Sequence, residues 1–168
     1  MAAGTAEGAL IRLMRQYEKE VLKVCTVYLR DLTLAEDATQ ETFFKAFKAM
    51  DRFLGDCSEK TWLMRIAINT CKDIRRAAWF RHTERRISPE DLPEPSEPAK
   101  ADSILTTLEV MRLPAKEREA VLLRYYQNMT LAEVAQALNI SPTAVAKRLR
   151  KAHAHLDPIL KGGDRNDE

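Results

Sequence analysis

Apolar residues recur at steps of three and four positions through most of the chain, which is the spacing of amphipathic α-helices. The first stripe of this kind consists of Leu10, Leu13, Met14, Tyr17, Val21, Val24, Cys25 and Tyr28. Thr33 and Glu36 have the spacing of a capping box, which predicts a second helix from there to about Met50. A third helix is predicted from about Thr61. Its apolar face consists of Leu63, Ile66, Thr70 and Ile74.

The same spacing returns in the last third of the chain. A short helix is predicted around Ile104, Leu105, Leu108 and Met111. Pro114 ends this helix and opens the next one, because proline is favoured at the first position of a helix and excluded from its interior. The next helix is predicted over about 114–127, with Val121, Leu122 and Tyr125 buried.

The segment that follows has the pattern of a helix-turn-helix. Thr130, followed by a glutamate three residues later, forms a second capping-box pair, and Asn139 suits the left-handed position that ends a short helix. Ser141 then caps a last helix with Pro142 in its first turn, and Pro158 is expected to stop it. The residues expected to face the core of this motif are Leu131, Val134, Ala135, Leu138, Val145 and Leu149.

A proline-rich, acidic segment separates the two helical groups. Residues 89–98 read PEDLPEPSEP and contain four of the seven prolines but no aromatic residue. Because proline lacks a backbone donor and disfavours helix in the residue before it, we expect a semi-extended linker here. Neither side shows a strand signal. The expected fold is therefore all-α: one small helical domain over 8–80, a linker over 81–100, and a helix-turn-helix domain over 101–160.

Composition narrows the class of protein. Of the 168 residues, 45% are hydrophobic and 31% are charged, which is typical of a folded, soluble chain. No apolar run approaches the roughly 20 residues that cross a bilayer. The first twenty residues also lack the uninterrupted apolar core of a signal peptide. We therefore expect a cytoplasmic protein without membrane insertion.

Residue types that carry catalytic chemistry are sparse. Cys25, Cys57 and Cys71 lie far apart and have no histidine pair at zinc-binding spacing, so no metal site is expected. The chain has three histidines and no glycine-rich phosphate-binding loop. We expect a protein that is not an enzyme and needs no cofactor.

Charge is unevenly distributed along the chain, although the net charge is only +2. Residues 60–86 contain eight Lys or Arg and two acids, whereas residues 87–99 contain four acids and no base. Residues 142–156 contain Lys147, Arg148, Arg150 and Lys151 without an acid. Two basic blocks, each on a predicted helix, indicate a polyanionic partner such as nucleic acid.

Three stretches together resemble the extracytoplasmic-function (ECF) sigma factors of bacterial RNA polymerase, members of the sigma-70 family. AEDATQETFFKAF (35–47) resembles the helix that binds core polymerase. TWLMRIAINTCKDIRR (61–76) resembles the segment that binds the promoter −10 element. The stretch 113–156 is similar to the −35-binding domain throughout. The order and spacing of the three stretches match those of the family.

The resemblance implies a polymerase-binding face on the second predicted helix. Asp37, Gln40 and Glu41 are three and four residues apart, so they lie on one helical face. Phe44 and Lys45 would extend that face. In the family, the partner is a helical coiled coil of the largest polymerase subunit, and an acidic face with an aromatic edge suits an arginine-rich partner helix.

The resemblance also implies contacts with melted promoter DNA on the third helix and the loop before it. The residues expected to contact the −10 element are Arg65, Asn69, Lys72, Arg75 and Arg76. Arg and Lys neutralise phosphates, and Asn can bind base edges. Members of the family capture an unstacked base in the loop before this helix, which here lies within 51–60. Trp62, at the start of the helix, is expected to belong to the core rather than to contact this base.

Contacts with double-stranded −35 DNA are implied for the last helix. The expected residues are Ser141, Thr143, Ala144, Lys147, Arg148 and Lys151. Ser141 and Arg148 match the family pattern, whereas Thr143, Ala144 and Lys147 replace its common Gly, Thr and Ser. Because the N-terminal residues of such a helix contact the bases, the promoter preference of this chain is expected to be its own.

Two functions fit these observations. The first is an alternative sigma factor that binds core RNA polymerase and promoter DNA; the resemblance adds an anti-sigma factor as a further partner. The alternative is a helix-turn-helix regulator whose N-terminal domain senses a ligand or dimerises, which would bind a two-fold symmetric site. The alternative leaves the acidic face and the N-terminal basic helix unexplained.

Overall fold

The computed structural model describes residues 5–79, Pro93 and residues 103–163. The chain divides into two compact units, Met1–Pro93 and Glu94–Glu168. Every regular element in the described ranges is helical, and none of the described residues forms a β-strand. The predicted all-α fold with two helical domains is thereby confirmed. Apart from Pro93, the expected linker lies outside the described residues.

Within residues 5–79, the first unit contains three α-helices that pack pairwise around one core. These are α1 (Ala6–Leu29), α2 (Leu32–Ala49) and α3 (Glu59–Trp79), with a 3-10 turn at Met50–Arg52 between the last two. The largest of its core side chains with at most 3% exposure are Tyr28, Phe43, Leu63, Met64 and Ile68. Because each helix supplies one apolar stripe, the opposite faces of α2 and α3 remain available to partners.

The start of α2 differs from the sequence prediction. Asp31, not Thr33, is the N-cap, and its Oδ1 accepts a hydrogen bond from the Leu34 amide at 2.9 Å. Arg30 adopts the left-handed conformation (φ 57°) that ends α1. The capping box predicted at Thr33 is therefore wrong, because a stronger cap lies two residues earlier and the helix extends back to it.

The start of α3 also lies two residues earlier than predicted. The helix begins at Glu59 rather than Thr61. The Ser58 hydroxyl accepts a hydrogen bond from the Thr61 amide at 3.1 Å, which is the geometry of an N-cap. This places the Glu59 carboxylate in the first turn, where the helix dipole favours negative charge.

Over residues 103–163, the second unit contains four α-helices and one π-helical turn. Helices α4 (Ser103–Arg112) and α5 (Ala115–Val121) are followed by the π turn at Leu122–Tyr126. Helices α6 (Leu131–Leu138) and α7 (Pro142–Gly163) complete it. The buried apolar residues of this unit include Val121, Leu122, Leu123, Tyr126, Val134, Val145 and Leu149.

The π turn changes which tyrosine is buried. A single α-helix over 114–127 was predicted to bury Tyr125, but Tyr125 is only half-buried and Tyr126 is 1% exposed. A π turn holds more residues than an α turn, so the side chains after it rotate relative to an α-helical register. The Tyr126 hydroxyl is 2.6 Å from the Thr107 hydroxyl, which ties the π turn to α4.

We expect the second unit to lose stability at alkaline pH because of Tyr126. Burial raises the pKa of its phenol from 10.0 to about 12, although the Thr107 hydrogen bond acts in the opposite direction. Above pH 10 the unfolded chain loses this proton while the folded chain keeps it. The contribution of about 2–3 kcal/mol to the free energy of unfolding is therefore complete below pH 10 and lost by about pH 12.

Urea unfolding followed by circular dichroism across this pH range measures the effect. The control is Tyr126→Phe, which removes the titrating group and keeps the ring. The wild type should lose more stability than the variant between pH 10 and 12. Parallel stability curves for the two proteins would show that Tyr126 is not responsible.

The helix caps and the left-handed residue predicted for the helix-turn-helix are confirmed. Thr130 and Glu133 form a reciprocal capping box at the start of α6. Asn139 ends α6 in the left-handed conformation (φ 55°). The Ser141 hydroxyl accepts a hydrogen bond from the Ala144 amide at 3.1 Å and so caps α7. These caps fix where α7 begins and therefore which of its side chains face outward.

Two expectations for this motif are wrong. Leu131 was expected to face the core but is 39% exposed. It is the first residue of α6, where side chains tilt toward the N-terminus and away from the packed part of the helix. Pro158 was expected to stop α7, but the helix continues to Gly163. Proline removes one backbone donor, and this does not by itself end a long helix.

Candidate protein and nucleic-acid interfaces

One side of α2 carries polar residues that do not take part in the core. Asp37, Gln40 and Glu41 are all exposed, and Phe44 is 51% exposed one turn later. These four residues are called the α2 face below. They recur at helical spacing along one side, whereas Ala38, Thr42 and Phe43 on the other side are buried. An exposed phenylalanine beside two carboxylates is a surface suited to a cationic protein partner.

Lys45 continues the line of Asp37 and Glu41 along α2, because the three residues follow one another at four-residue steps. Its Nζ is 3.5 Å from Asp73 Oδ2 and 3.3 Å from Thr70 Oγ1, both on α3. The lysine was expected to extend the polymerase-binding face. It lines a shallow groove between α2 and α3 together with Asp37 and Glu41, while its ammonium group contacts α3. Lys45 thus connects the α2 face to α3.

Lys48 is a neighbour of the α2 face that was not among the residues predicted from the sequence. The Lys48 ammonium lies 4.2 Å from the centre of the Phe44 ring, which is the geometry of a cation–π interaction. The two residues are four positions apart, so the signal was present in the sequence. The contact orients Phe44, although about half of this residue remains exposed.

The basic residues of α3 lie on the sides of the helix away from the core. Asn69, Arg75 and Arg76 are exposed, and Arg65 and Lys72 are half-buried. The Arg75 guanidinium carbon is 5.7 Å from the ring centre of the buried Tyr28. The structure thus brings all five predicted −10 residues onto the outer part of one helix. A row of cations with one amide side chain is suited to a phosphate backbone and its bases.

The loop before α3 is organised around an aromatic pair. Phe53 stacks on Trp62 with ring centres 4.8 Å apart and planes 30° apart. Trp62 is half-buried, so its expected placement in the core holds only in part. Leu54 is 88% exposed beside this pair, and Gly55 has a φ of 75° that favours glycine.

The same loop contains Cys57. Burial, with a smaller contribution from Asp56, raises the pKa of the Cys57 thiol, which disfavours the reactive thiolate.

An ion pair that no sequence pattern indicated anchors this loop. The Arg12 guanidinium donates two hydrogen bonds to the Glu59 carboxylate, at 2.9 and 2.6 Å. These hydrogen bonds lower the pKa of Glu59, and Glu59 in turn raises the pKa of Arg12. The pair joins α1 to the first turn of α3. Both side chains are about half exposed, so we expect it to contribute at most about 1 kcal/mol to stability.

One side of α7 carries four exposed residues, Thr143, Lys147, Arg150 and Lys151. These four residues are called the α7 face below. Ser141 is exposed and serves as the cap, and Ala144 is half-buried. Arg150 was not among the predicted DNA-binding residues, although it lies three positions from Lys147. Three cations on one side of a helix-turn-helix recognition helix are suited to the DNA major groove.

Arg148 is placed differently from the prediction. It was expected to point away from the core, but its side chain is only 21% exposed. Its Nη1 lies 3.5 Å from Oε2 of Glu119, a residue of α5 that is 2% exposed. The expected outward orientation of Arg148 is therefore wrong, because a buried carboxylate attracts the guanidinium inward.

The described residues carry neither a metal site nor a membrane span. Within residues 5–79 and 103–163, no group of three or more His, Cys, Asp or Glu is arranged to hold a metal ion. In the same described ranges, no helix is both long enough and apolar enough to span a membrane.

Comparisons with known proteins match each unit to one sigma-factor domain. Residues 13–81 match the model of sigma-70 region 2, and residues 107–156 match that of sigma-70 region 4. The RNA polymerase sigma-H factor of Pseudomonas aeruginosa is 29% identical over 163 residues, covering 89% of this chain and 84% of that protein. The RNA polymerase sigma factor NccH of Alcaligenes xylosoxydans xylosoxydans is 32% identical over 135 residues, covering 75% and 73%.

A solved structure has the same fold. The sigma factor RpoE from Bartonella quintana, in a co-crystal with the anti-sigma factor NepR, has a TM-score of 0.74 to this chain. The two are 19% identical, over 89% of this chain and 95% of that one. At this identity the likeness shows the fold alone.

The chain belongs to the sigma-70 family, as an ECF sigma factor. It is an alternative sigma factor, which binds core RNA polymerase and directs promoter recognition and transcription initiation. A regulator with a ligand-sensing N-terminal domain is set aside, because residues 13–81 match sigma region 2. Sigma factors are DNA-binding regulators.

Proposed function

We propose that the three surfaces described above bind three different targets during transcription initiation: core polymerase, −10 DNA and −35 DNA. The proposed domains are sigma region 2 over 8–80, a linker over 81–100, and sigma region 4 over 101–160. In this assignment the protein has no catalytic activity of its own and acts in the cytoplasm, where its polymerase and promoters are. The observation that carries the assignment is the separation of each exposed polar surface from the buried stripe of the same helix.

The α2 face is the proposed docking surface for core polymerase. Its carboxylates, Asp37 and Glu41, are exposed and offer acceptors to an arginine-rich helix. Phe44 supplies apolar contact area, and Gln40 adds a polar contact between the two acids. Lys45 contributes indirectly, since its contacts with Thr70 and Asp73 hold α2 against α3.

The outer side of α3, with Arg65, Asn69, Lys72, Arg75 and Arg76, is the proposed contact surface for −10 DNA and is called the −10 surface below. Arg65, Lys72, Arg75 and Arg76 would neutralise phosphates, and Asn69 would meet a base edge. The cations contribute mostly affinity, because phosphate contacts carry no sequence information by themselves.

We expect Lys72→Ala/Arg76→Ala to make promoter binding by the reconstituted polymerase less sensitive to salt. Each lost phosphate contact reduces the slope of log affinity against log salt concentration by about 0.7–0.9, so the pair should reduce it by about 1.4–1.8. The matched control is Arg15→Ala/Lys19→Ala, which removes the same charge at the same four-residue spacing from exposed positions of α1. Equal slopes for the two double variants would contradict the assignment.

The α7 face is the proposed −35-binding surface, with Ser141 and Ala144 beside it. Thr143 and Lys147 lie in the first two turns, which is the part of a recognition helix that contacts base edges. Arg150 and Lys151 lie further along and are placed to meet phosphates. Arg150 is included among the proposed −35-binding residues because it is exposed.

An anti-sigma factor is a further proposed partner. Support comes from the fold shared with RpoE of Bartonella quintana, whose structure contains the anti-sigma factor NepR. A protein that covers the α2 face or the −10 surface would prevent the chain from binding polymerase or promoter. The exposed Phe44 and Leu54 offer apolar area for such contacts.

Transcription in vitro tests the proposed function. Purified chain is mixed with core polymerase and a library of random promoters, and the transcripts are sequenced. We expect specific transcripts whose templates share one −10 and one −35 sequence, and no such enrichment with core polymerase alone. Enrichment of the −10 sequence only would contradict the role of the α7 face.

A further inference from the structure

Two acids of α5 face basic residues of the recognition helix α7. Glu119, 2% exposed, lies 3.5 Å from Arg148. Glu117, 7% exposed, has its Oε2 at 3.6 Å from Nε2 of His155, an ion pair only when that imidazole is protonated. Arg148 and His155 are seven residues apart, so they lie on the same side of α7, two turns from each other.

The π turn adds a third connection to α7. The Tyr125 hydroxyl is 2.7 Å from His153 Nε2, and the two rings meet edge to face with centres 5.7 Å apart. Tyr125 can reach His153 because the π turn leaves it half-buried instead of in the core. Polar contacts from α5 and the π turn thus hold α7 at Arg148 and His153, and the contact between Glu117 and His155 adds a further one only when that imidazole is protonated.

The basic residues of α7 therefore fall into two groups. Lys147, Arg150 and Lys151 are exposed on the α7 face. Arg148 points toward α5 and ends on a carboxylate that solvent hardly reaches. To reach a phosphate, Arg148 would have to break this ion pair, and separating a charge from a buried partner costs far more free energy than breaking a surface pair.

We propose that Arg148 is a positioning residue for promoter recognition: through Glu119 it fixes the rotation of α7 about its own axis, so that Thr143 and Lys147 meet the −35 bases. The proposal rests on the proposed role of the α7 face. Contacts with base edges require side chains held within about 0.5 Å and 10–20° of the productive geometry. A recognition helix attached only by apolar contacts is less well specified than one with directional polar contacts.

The test compares three single variants of the full chain, each assembled with core polymerase. Arg148→Gln and Glu119→Gln each remove one charge of the pair and keep a polar side chain, which has nearly the same shape in Glu119→Gln and is shorter in Arg148→Gln. Lys151→Gln is the matched control, because it removes one positive charge from the α7 face three residues further along. The DNA probes are the best promoter from the transcription library and all its single-base −35 variants, measured over a range of salt concentrations.

The expected results differ in kind between the variants. Lys151→Gln should reduce the salt slope by about 0.9 and lower the affinity for every sequence by the same factor. Arg148→Gln should leave the salt slope unchanged and reduce the preference for the best −35 sequence roughly tenfold, comparable to the loss of one base contact. Glu119→Gln should change the preference in the same way, and the double variant should add little to either single one.

These readouts separate positioning from a general loss of stability. Partial unfolding reduces the active fraction and scales the affinity for all sequences equally, whereas a rotated helix changes the ratios between sequences. If Arg148→Gln loses helical content, Glu119→Gln decides alone. A phosphate-binding Arg148 would be released by Glu119→Gln, which would then raise the affinity for all sequences.

Three outcomes overturn the proposal. They are a reduced salt slope for Arg148→Gln, a wild-type base preference in Glu119→Gln, and additive effects in the double variant. Failure of the proposed function has a different signature, because the wild-type protein itself would then show no preference among the −35 variants.

Discussion

Association with core polymerase should be lost when Asp37 and Glu41 are both changed to lysine. Both carboxylates are exposed, and each is one helical turn from the other on the α2 face. Placing two ammonium groups against an arginine-rich partner replaces attraction by repulsion, and like charges across an interface cost several kcal/mol. Because neither residue is buried, the helical content and the free energy of unfolding should change little.

A pull-down with core polymerase measures the loss, with circular dichroism as the check on folding. The matched control is Glu18→Lys/Glu36→Lys, which makes the same change in net charge at two exposed positions. Glu36 is the informative half of this control, since it adjoins Asp37 on the same helix but projects about 100° away around its axis. Normal binding by Asp37→Lys/Glu41→Lys, or equal loss in the control, would contradict docking through the α2 face.

Changing Lys147 to alanine should relax base preference at one or two −35 positions. Lys147 is exposed in the second turn of α7, and the Ser141 cap fixes the start of that helix. A side chain in this part of a recognition helix contacts base edges, and its loss should cost roughly 1–3 kcal/mol on the best site. The slope of log affinity against log salt concentration would not by itself reveal a base contact of Lys147, because the loss of a phosphate contact also changes this slope.

A binding profile across all single-base −35 variants distinguishes the two roles of Lys147. If the residue contacts a base, Lys147→Ala flattens the profile at that position and leaves the others unchanged. If it contacts a phosphate, every variant loses the same factor in affinity. Arg150→Ala serves as the comparison, because Arg150 is exposed on the same face one turn further from the start of the helix.

Local signals in the sequence predicted the helices and the turn of the second unit well. The Thr130–Glu133 capping box, the left-handed Asn139 and the Ser141 cap all act within three residues, and all are present. The α2 face was predictable for the same reason, since helical spacing alone places Asp37, Gln40 and Glu41 together. Competing local signals caused the error at the start of α2, where Asp31 caps the helix in place of Thr33.

Contacts between distant parts of the chain could not be predicted. Arg12 and Glu59 are 47 residues apart, and Arg148 and Glu119 are 29 apart. Helical periodicity indicates which side of a helix is polar but not which polar residue will find a partner on another helix. The π turn had no recognisable signal either, and it decided that Tyr126 rather than Tyr125 is buried.

The core that α2 and α3 share sets the distance between the two surfaces of the first unit. The α2 face and the −10 surface lie on two helices that pack on each other and are joined further by Lys45 and Asp73. Under the roles proposed for the two surfaces, the packing of α2 on α3 sets the distance between polymerase and −10 DNA. Substitutions at Phe43 or Ile68 that repack this core would shift the distance between polymerase and melted DNA. We expect such a change to impair promoter opening while each surface, measured alone, keeps its affinity.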